Sequence, residues 1–357
     1  MNVFIKKKVL FWLMILALFL FFLSTSLANE NIEGIINKYY KDYNFSGSIL
    51  IAVHGELMVK KGIGMANYET KIPNKPNTIF RLASVSKQFT AMCIMMLEER
   101  GLLNAGDSID KYIHDYPNGN QITIHNLLTH TSGIAEYTDS NVYYHSEHYF
   151  SPEDIINFFK DQPLRFSPGT KFEYCNSNYV LLGYIIEKVS HMKYEDFVKE
   201  NIFIPLQMEN SGYDHNELSS NIAVGYSKIY GGNNNNFEAS RYIDRSIAYA
   251  AGALKSTVED LYKWDQALYT QKLVKYETLN KMFTPYLESY GYGWQIVKQG
   301  DKPIIKHRGG TFGFNTVIYR DTQSKKTIII LCNNESFKIP AMLNELISAL
   351  DDGIQIK

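Results

Sequence analysis

Cysteine is scarce in this sequence, and neither sign of charge dominates it. The 357 residues include only three cysteines, Cys93, Cys175 and Cys332. A sparse and odd set of cysteines does not make the disulfide framework of a small secreted domain. The 36 Lys and Arg residues nearly balance the 37 Asp and Glu residues, for a formal net charge of −1. The basic excess of a nucleic-acid-binding protein is absent, so no nucleic-acid partner is expected.

Two common catalytic motifs are also missing. His145 and His148 lie on either side of Glu147, but His-Glu-x-x-His does not occur and no cysteine pair has the spacing of a metal site. Gly-x-Ser-x-Gly does not occur either, which argues against the nucleophile turn of an α/β-hydrolase. We therefore expect neither a metal nor another cofactor.

One short segment, Ser84–Lys87, stands at the start of an amphipathic helix pattern. Apolar side chains recur with helical spacing over Phe89–Leu97, and Gly101 suits a C-terminal cap. Positions three apart share a helix face, so we expect the Lys87 amine beside the Ser84 hydroxyl. Such an amine can accept the serine proton or stabilise the attacking alkoxide. Ser-x-x-Lys also occurs by chance, and a capping serine with a solvated lysine is the competing interpretation.

Two further segments offer polar groups that suit the same kind of site. Tyr174 and Asn176 bracket one residue at a loop-to-helix junction, just before a long apolar run. The segment His307–Gly310 lies between two strand-like runs, and its glycines let the backbone approach a ligand closely. Together with Ser84 and Lys87, these segments are candidate parts of one catalytic cleft.

With these motifs the chain resembles the superfamily of serine β-lactamases and penicillin-binding proteins. Within it, the chain is similar to the class C β-lactamase-like family of D-alanyl-D-alanine carboxypeptidases, D-aminopeptidases and carboxylesterases. That family carries Ser-x-x-Lys, then Tyr-x-Asn, then Lys-Thr-Gly or His-x-Gly, in this order. The matching residues are Ser84 and Lys87, Tyr174 and Asn176, and His307 and Gly309; the flanking stretches that match are Phe80–Ala83, Leu127–Gly133, Phe166–Gly169 and Ala250–Gly252.

The resemblance implies a role for each matching residue. Ser84 would attack the substrate carbonyl and become acylated, while Lys87 would tune the protonation of Ser84 and Tyr174. Asn176 would orient Lys87 and hydrogen-bond the substrate. The backbone N–H groups of Ser84 and Gly310 would form the oxyanion hole. Whether Tyr174 or Lys87 is the base stays open, because a tyrosine ordinarily loses its proton only near pH ~10.

The third motif departs from that of class C β-lactamases, which carry a lysine where this chain has His307. That lysine helps to hold a substrate carboxylate, whereas histidine is mostly neutral near pH ~7. The resemblance implies that His307, Arg308 and Gly309 border the substrate. Arg308 would then supply a cation or point to solvent, because neighbouring residues of a strand face opposite ways. The change argues against efficient β-lactamase activity.

The functional hypothesis is a serine hydrolase that works through a Ser84 acyl-enzyme, with D-alanyl-D-alanine carboxypeptidase or related peptidase activity favoured. A β-lactamase or a carboxylesterase of the same family is the alternative. A non-hydrolytic penicillin- or envelope-binding protein is the alternative from another class. The expected partners are small molecules or peptides, namely D-amino-acid peptides, β-lactams or esters.

The first 28 residues have the pattern of a secretory signal peptide. Lys6–Lys8 precede the apolar run Val9–Leu23, and the small residues that follow suit cleavage after Ala28. An uncleaved segment would instead anchor the protein to a membrane, although the run is short for a span of ~20 residues. We expect an exported protein that is secreted, periplasmic or associated with the cell envelope.

The remaining residues, 29–357, predict an α+β fold. Residues 31–43 look helical, and a hairpin is expected around the turn His54–Glu56. Strand-like runs return only after residue 290, and the middle of the chain is largely helical. The simplest fold joins the N-terminal hairpin to the C-terminal strands in one antiparallel sheet flanked by helices.

This β-lactamase/transpeptidase-like layout predicts two lobes. The α/β lobe would comprise about residues 29–80 and 285–357, and a mostly α-helical lobe of about residues 81–284 would be inserted between them. The tyrosine-rich segment Ala135–His145 would wall the cleft or only cover the core. His130 is expected to fix a loop through hydrogen bonds, and Cys175 is expected to be a packing residue.

Overall fold

The computed structural model describes residue 12 and residues 30–217, 219–230, 236–300 and 302–354. The expected signal peptide, apart from Trp12, lies outside the described residues. None of the helices in these ranges is both long and apolar enough to cross a lipid bilayer.

Helices fill the middle of the chain, and long strands lie near its two ends. Residues 30–43 form α1. The strands are β1 (Gly47–Val53), β2 (Glu56–Ile63), β3 (Met65–Asn67), β4 (Ile72–Pro73), β5 (Phe80–Arg81), β6 (Gly212–Tyr213), β7 (Tyr226–Tyr230), β8 (Asn236–Ala239), β9 (Leu254–Ser256), β10 (Gln295–Gln299), β11 (Lys302–Thr311), β12 (Phe314–Asp321) and β13 (Lys326–Cys332). The other helices are α2 (Lys87–Glu99), α3 (Ile124–Leu128), α4 (Asn141–Tyr144), α5 (Pro152–Asn157), α6 (Asn176–Ser190), α7 (Tyr194–Val198), α8 (Tyr249–Gly252), α9 (Val258–Ala267), α10 (Tyr276–Met282) and α11 (Ile339–Ile354).

The main sheet has the order β10-β11-β12-β13-β1-β2, and all its neighbouring strands are antiparallel. Strand β1 lies between its hairpin partner β2 and the distant β13, with Ile49 opposite Ile330. The prediction that the N-terminal hairpin joins the C-terminal strands in one antiparallel sheet is therefore confirmed.

Both faces of this sheet are covered, as the residues of β1 show. Leu50 and Ala52 enter the core shared with the helical lobe, whereas Ile49 and Ile51 enter the core beneath α1 and α11. Successive side chains of a strand point to opposite faces, so a strand that is covered on both sides reads as a continuous apolar run. The run Ile49–Val53 has this pattern.

Helix α2 forms the centre of the helical lobe. Every residue of Lys87–Leu97 is buried, and the helix is apolar nearly all round. Such a helix belongs in a core rather than at a surface. Helix α6 packs against it, with Tyr179–Gly183 buried. The first residues of α2 and α6, Lys87 and Asn176, thereby come close to each other.

The expectation that strands return only after residue 290 was wrong. Strands β6, β7, β8 and β9 lie between residues 212 and 256, and β9 pairs with both β5 and β6. Each has two to five residues, which is too short for an alternating pattern to stand out from helical spacing. The segment His307–Gly310, which was expected between two strand-like runs, lies instead within β11, which continues to Thr311.

Candidate active site

Ser84 lies in a short 3₁₀ turn, Ala83–Ser86, that runs directly into α2. It is the one residue of this turn that is not buried. Ala83 has a φ of 49°, in the left-handed region that costs an L-residue ~1–2 kcal/mol. Strain of this kind persists where the surroundings hold the backbone in place. The turn thus presents the Ser84 hydroxyl at the surface of the lobe.

Lys87 is fully buried beneath this hydroxyl. Its Nζ lies 3.1 Å from Ser84 Oγ, 2.8 Å from Asn176 Oδ1 and 2.8 Å from the carbonyl oxygen of Ala251. Burial lowers the pKa of Lys87 to about 7, although Glu136 acts in the opposite direction. A substantial fraction of the amine is therefore neutral near neutral pH and able to accept the Ser84 proton.

Tyr174 completes the set on the other side of Ser84. Its side chain lies close enough to Ser84 to interact with it, and Lys87 Nζ lies 5.0 Å from its ring centre. Burial raises the pKa of Tyr174 above its ordinary value of 10. A protonated Tyr174 beside a partly neutral Lys87 favours Lys87 as the base of the resting site, and leaves Tyr174 with a proton to donate.

His130 and Cys175 support Tyr174 from below. The His130 ring lies 4.3 Å from the Tyr174 ring, and its Nδ1 accepts a hydrogen bond from the Cys175 N–H at 3.1 Å. Burial holds the pKa of His130 well below its ordinary value, so the ring is neutral. The Cys175 thiol donates to the Ile134 carbonyl, and burial raises its pKa to about 12. Both residues hold in place the loop that leads into α6. With its raised pKa, the Cys175 thiol is not an activated nucleophile.

Glu136 is a residue of this site that sequence reasoning missed. Its Oε2 accepts hydrogen bonds from both the backbone N–H and the Nδ2 of Asn176, the latter at 3.1 Å. The carboxylate therefore fixes the Asn176 amide with Oδ1 towards Lys87. The available signal was that a buried lysine needs a nearby anion, and Glu136 is an acidic residue in the tyrosine-rich segment.

The glycines of β11 bring the strand against the turn that carries Ser84. A Cβ on Gly309 would stand 2.2 Å from the carbonyl oxygen of Leu82. The same carbonyl accepts a hydrogen bond from Thr316 Oγ1 at 2.8 Å. Gly309 thus permits the close approach that places Gly310 beside Ser84 on the wall of one cleft. The two expected oxyanion donors belong to residues that share this cleft.

His307 and Arg308 do not present cations to the cleft. The His307 Nδ1 donates to the Arg308 carbonyl at 2.7 Å, so its Nε2 accepts from the Tyr290 hydroxyl at 2.8 Å. Burial and the nearby Lys87 lower the pKa of His307 to about 3, which keeps it neutral. Arg308 is exposed and pairs with Val317, whose side chain belongs to the core beneath α1 and α11. Strand alternation therefore directs Arg308 to the face away from the cleft.

The cleft has a cavity volume of about 60 Å³ and is lined by residues from the helical middle of the chain and from β11. The tyrosine-rich segment contributes directly to its wall, which decides between the two interpretations of that segment. The lining residues include Ser84, Tyr137, Thr138, Tyr143, Asn176, Gly310 and Thr311. Among the described residues, no group of three or more His, Cys, Asp and Glu side chains is placed to hold a metal ion.

A partly buried serine, a buried lysine with a lowered pKa, a tyrosine and an asparagine beside the glycine-rich strand β11 define a serine hydrolase site of the β-lactamase type. Comparison with protein families agrees with this class. Residues 32–350 match the family described as Beta-lactamase, and the chain belongs to this family.

Its relatives include two proteins of Bacillus subtilis (strain 168). One, described as "Putative penicillin-binding protein PbpX", is 37% identical over 302 residues, which cover 84% of this chain and 73% of the relative. The other, "Penicillin-binding protein 4*", is 31% identical over 327 residues, which cover 86% of this chain and 72% of the relative. The crystal structure of a penicillin-binding protein from Bacillus halodurans superposes with a TM-score of 0.79, at 27% identity, over 90% of this chain and 98% of that one.

Proposed function

We propose that this protein is an exported serine hydrolase that works through a Ser84 acyl-enzyme and acts as a carboxypeptidase on D-alanyl-D-alanine peptides. The observation that carries the proposal is the position of Lys87. Its Nζ is within 3.1 Å of Ser84 Oγ, and its pKa of about 7 allows it to serve as a base. A solvated lysine on a helix surface would be neither buried nor hydrogen-bonded to three oxygen atoms.

The geometry supports a two-step reaction. Neutral Lys87 takes the Ser84 proton as Oγ attacks the peptide carbonyl, and the N–H groups of Ser84 and Gly310 hold the oxyanion. Tyr174, which keeps its proton, donates to the departing amine and regains a proton through Lys87. Water then attacks the acyl-enzyme and releases Ser84.

The choice of substrate rests on two supports. Both Bacillus subtilis relatives are described as penicillin-binding proteins. The neutral, buried His307 also lacks the charge of the lysine that class C β-lactamases carry, which favours a peptidase over a β-lactamase. A β-lactamase or carboxylesterase remains the second candidate, because the Ser84 and Lys87 geometry serves any acyl donor.

Intact-mass measurements with excess benzylpenicillin test the nucleophile and the class together, with antibiotic hydrolysis followed in the same tube. We expect a lasting adduct on the wild type and none on Ser84→Ala. Ser86→Ala is the matched control, because Ser86 is buried in the same turn and accepts a hydrogen bond from Leu254 N–H at 3.2 Å. It should form the adduct as the wild type does.

Other outcomes point elsewhere. Hydrolysis without a lasting adduct would favour a β-lactamase. A lasting adduct together with no cleavage of any D-peptide or ester would favour a non-hydrolytic penicillin-binding protein. An adduct that survives Ser84→Ala would remove Ser84 as the nucleophile. Export is tested separately: secretion of the full chain with loss of residues 1–28, read from the mass of the secreted protein, is the expected result.

A further inference from the structure

Arg245 is a buried cation at the strand side of the active-site cleft. Only 3% of its surface is exposed. Its Nη1 donates to Thr311 Oγ1 at 2.9 Å, and Nη2 lies 3.5 Å from the Phe312 carbonyl oxygen. Its Nε has no hydrogen-bond partner among the described residues. Thr311 lines the cleft next to Gly310, so Arg245 lies directly behind the cleft wall.

No acidic side chain of the described residues forms a salt bridge with Arg245. Asp214 lies nearby, but its Oδ2 is bonded to Arg81 Nε at 2.6 Å. Burial and the positive charge of Arg81 lower the pKa of Arg245 to about 10, although the charge of Asp214 acts in the opposite direction, and the guanidinium stays charged at neutral pH. A buried charge that lacks a carboxylate is unfavourable, and an anion that enters the cleft would offset this cost.

The hydroxyl of Thr311 connects this charge to the cleft. It accepts from Arg245 and lines the cleft. A hydroxyl that accepts from a guanidinium has its own proton free to point away from it. Arg245 thus polarises a hydroxyl donor on the cleft wall, and a charge-assisted donor of this kind suits a carboxylate.

The third motif suggested His307 and Arg308 as groups that bind a substrate carboxylate, but neither is placed or charged to do so. His307 is neutral, and Arg308 starts from the opposite face of the sheet. We propose that Arg245, acting through Thr311, is a positioning residue that selects substrates with a free carboxylate on the leaving group. The inference rests on the proposed carboxypeptidase function and narrows its substrate class.

A matched substrate pair tests the inference. Diacetyl-L-lysyl-D-alanyl-D-alanine and its C-terminal amide have the same scissile bond and give the same acyl product, which chromatography quantifies. We expect the wild type to favour the acid in kcat/KM. Arg245→Gln should lower kcat/KM for the acid by about 10- to 100-fold, the range of a hydrogen bond to a charged group, and mainly through KM. Turnover of the amide should stay within about threefold.

Three further variants make the test specific. Thr311→Val removes the relaying hydroxyl but keeps Arg245, and should lose the preference for the acid as well. Arg245→Lys keeps a charge on a shorter donor and should restore part of the preference. Arg308→Gln tests the rival cation and should leave the preference intact. Equal losses on acid and amide in Arg245→Gln, or loss of the preference in Arg308→Gln, would overturn the inference.

A second pair separates this inference from the proposed function. Benzylpenicillin carries a carboxylate and its methyl ester does not, and the rate of Ser84 acylation by each is read by intact mass without any peptide turnover. If neither peptide is cleaved but Arg245→Gln abolishes a preference for the free acid, the carboxypeptidase proposal fails and the carboxylate site stands. If the acid and the amide peptide are cleaved equally well, the proposed peptidase activity stands and the carboxylate site fails. No reaction with any of the four compounds would remove both.

Discussion

The contact between β11 and the Ser84 turn predicts the effect of Gly309→Ala on stability and activity, and the distances in the structure set its magnitude. In Gly309→Ala the new Cβ would stand 2.2 Å from the Leu82 carbonyl oxygen and 2.4 Å from Thr316 Oγ1. A carbon and an oxygen without a bond ordinarily come no closer than about 3.3 Å, so β11 must retreat by about 1 Å. Overpacking of this kind costs ~1–3 kcal/mol in the free energy of unfolding.

The same retreat moves the Gly310 N–H away from the expected oxyanion hole, where it would pair with the Ser84 N–H around the substrate oxygen. A misplacement of about 1 Å in a catalytic group lowers the rate by about 100-fold, and we expect a loss of this order in kcat/KM. Thermal unfolding should show a decrease of about 2–4 °C in Tm for each kcal/mol lost. Steady-state kinetics and calorimetry on the purified enzyme measure both effects.

The neighbouring glycine supplies the control for stability. A Cβ on Gly310 would lie 3.5 Å from Asn315 Oδ1, an ordinary contact, so Gly310→Ala should change the free energy of unfolding by less than about 1 kcal/mol. If Gly309→Ala matched the wild type in both Tm and kcat/KM, the close approach of β11 to the Ser84 turn could not be what positions Gly310.

Two further predictions concern charge. The proposed role of Lys87 requires the neutral amine and its pKa is about 7, so kcat/KM should rise with pH through this value. Glu136 raises the pKa of Lys87, so Glu136→Gln should move the rise to lower pH, and an unmoved profile would refute the link. Asp265 accepts from Arg320 Nε at 2.5 Å and from Thr327 Oγ1 at 2.8 Å, and both charged groups are buried. Asp265→Ala should cost ~3–5 kcal/mol in denaturant unfolding by stranding a buried cation, and a cost below about 1 kcal/mol would contradict this.

The long elements of the fold could be predicted because their patterns are long. The hairpin around His54–Glu56 and strands after residue 290 were predicted from such runs, which the structure forms as β1, β2 and β10–β13, and the spacing after Ser84 predicted α2. The short strands near Gly212–Tyr213 and Leu254–Ser256 could not be predicted, because their pairing depends on β5 and on tertiary contacts rather than on local pattern.

The candidate site likewise has residues that could be predicted from the sequence and residues that could not. Ser84, Lys87, Tyr174 and Asn176 stand in spaced motifs, and the structure brings all four together. Glu136 and Arg245 stand in no motif. The role of a single charged residue depends on the groups that the fold places beside it, so neither could be predicted from the sequence.

The charge of His307 likewise could not be predicted. Its near-complete burial and its hydrogen bond to Tyr290 decide its protonation, and neither is a property of the local sequence. Arg308 was left open between two directions, and the register of β11 against β12 resolves it.

The position of β1 has a consequence for how the enzyme is made. This strand, from the first sixth of the chain, needs β13, which ends at Cys332, as its neighbour. The Ser84 turn likewise rests on β11 and β12 through Gly309 and Thr316. A nascent chain therefore carries Ser84 for more than 200 residues of synthesis before the strand that supplies Gly310 exists. The cleft is complete only once these strands exist, so we expect a prematurely terminated product to contain Ser84 and Lys87 and yet to lack hydrolase activity.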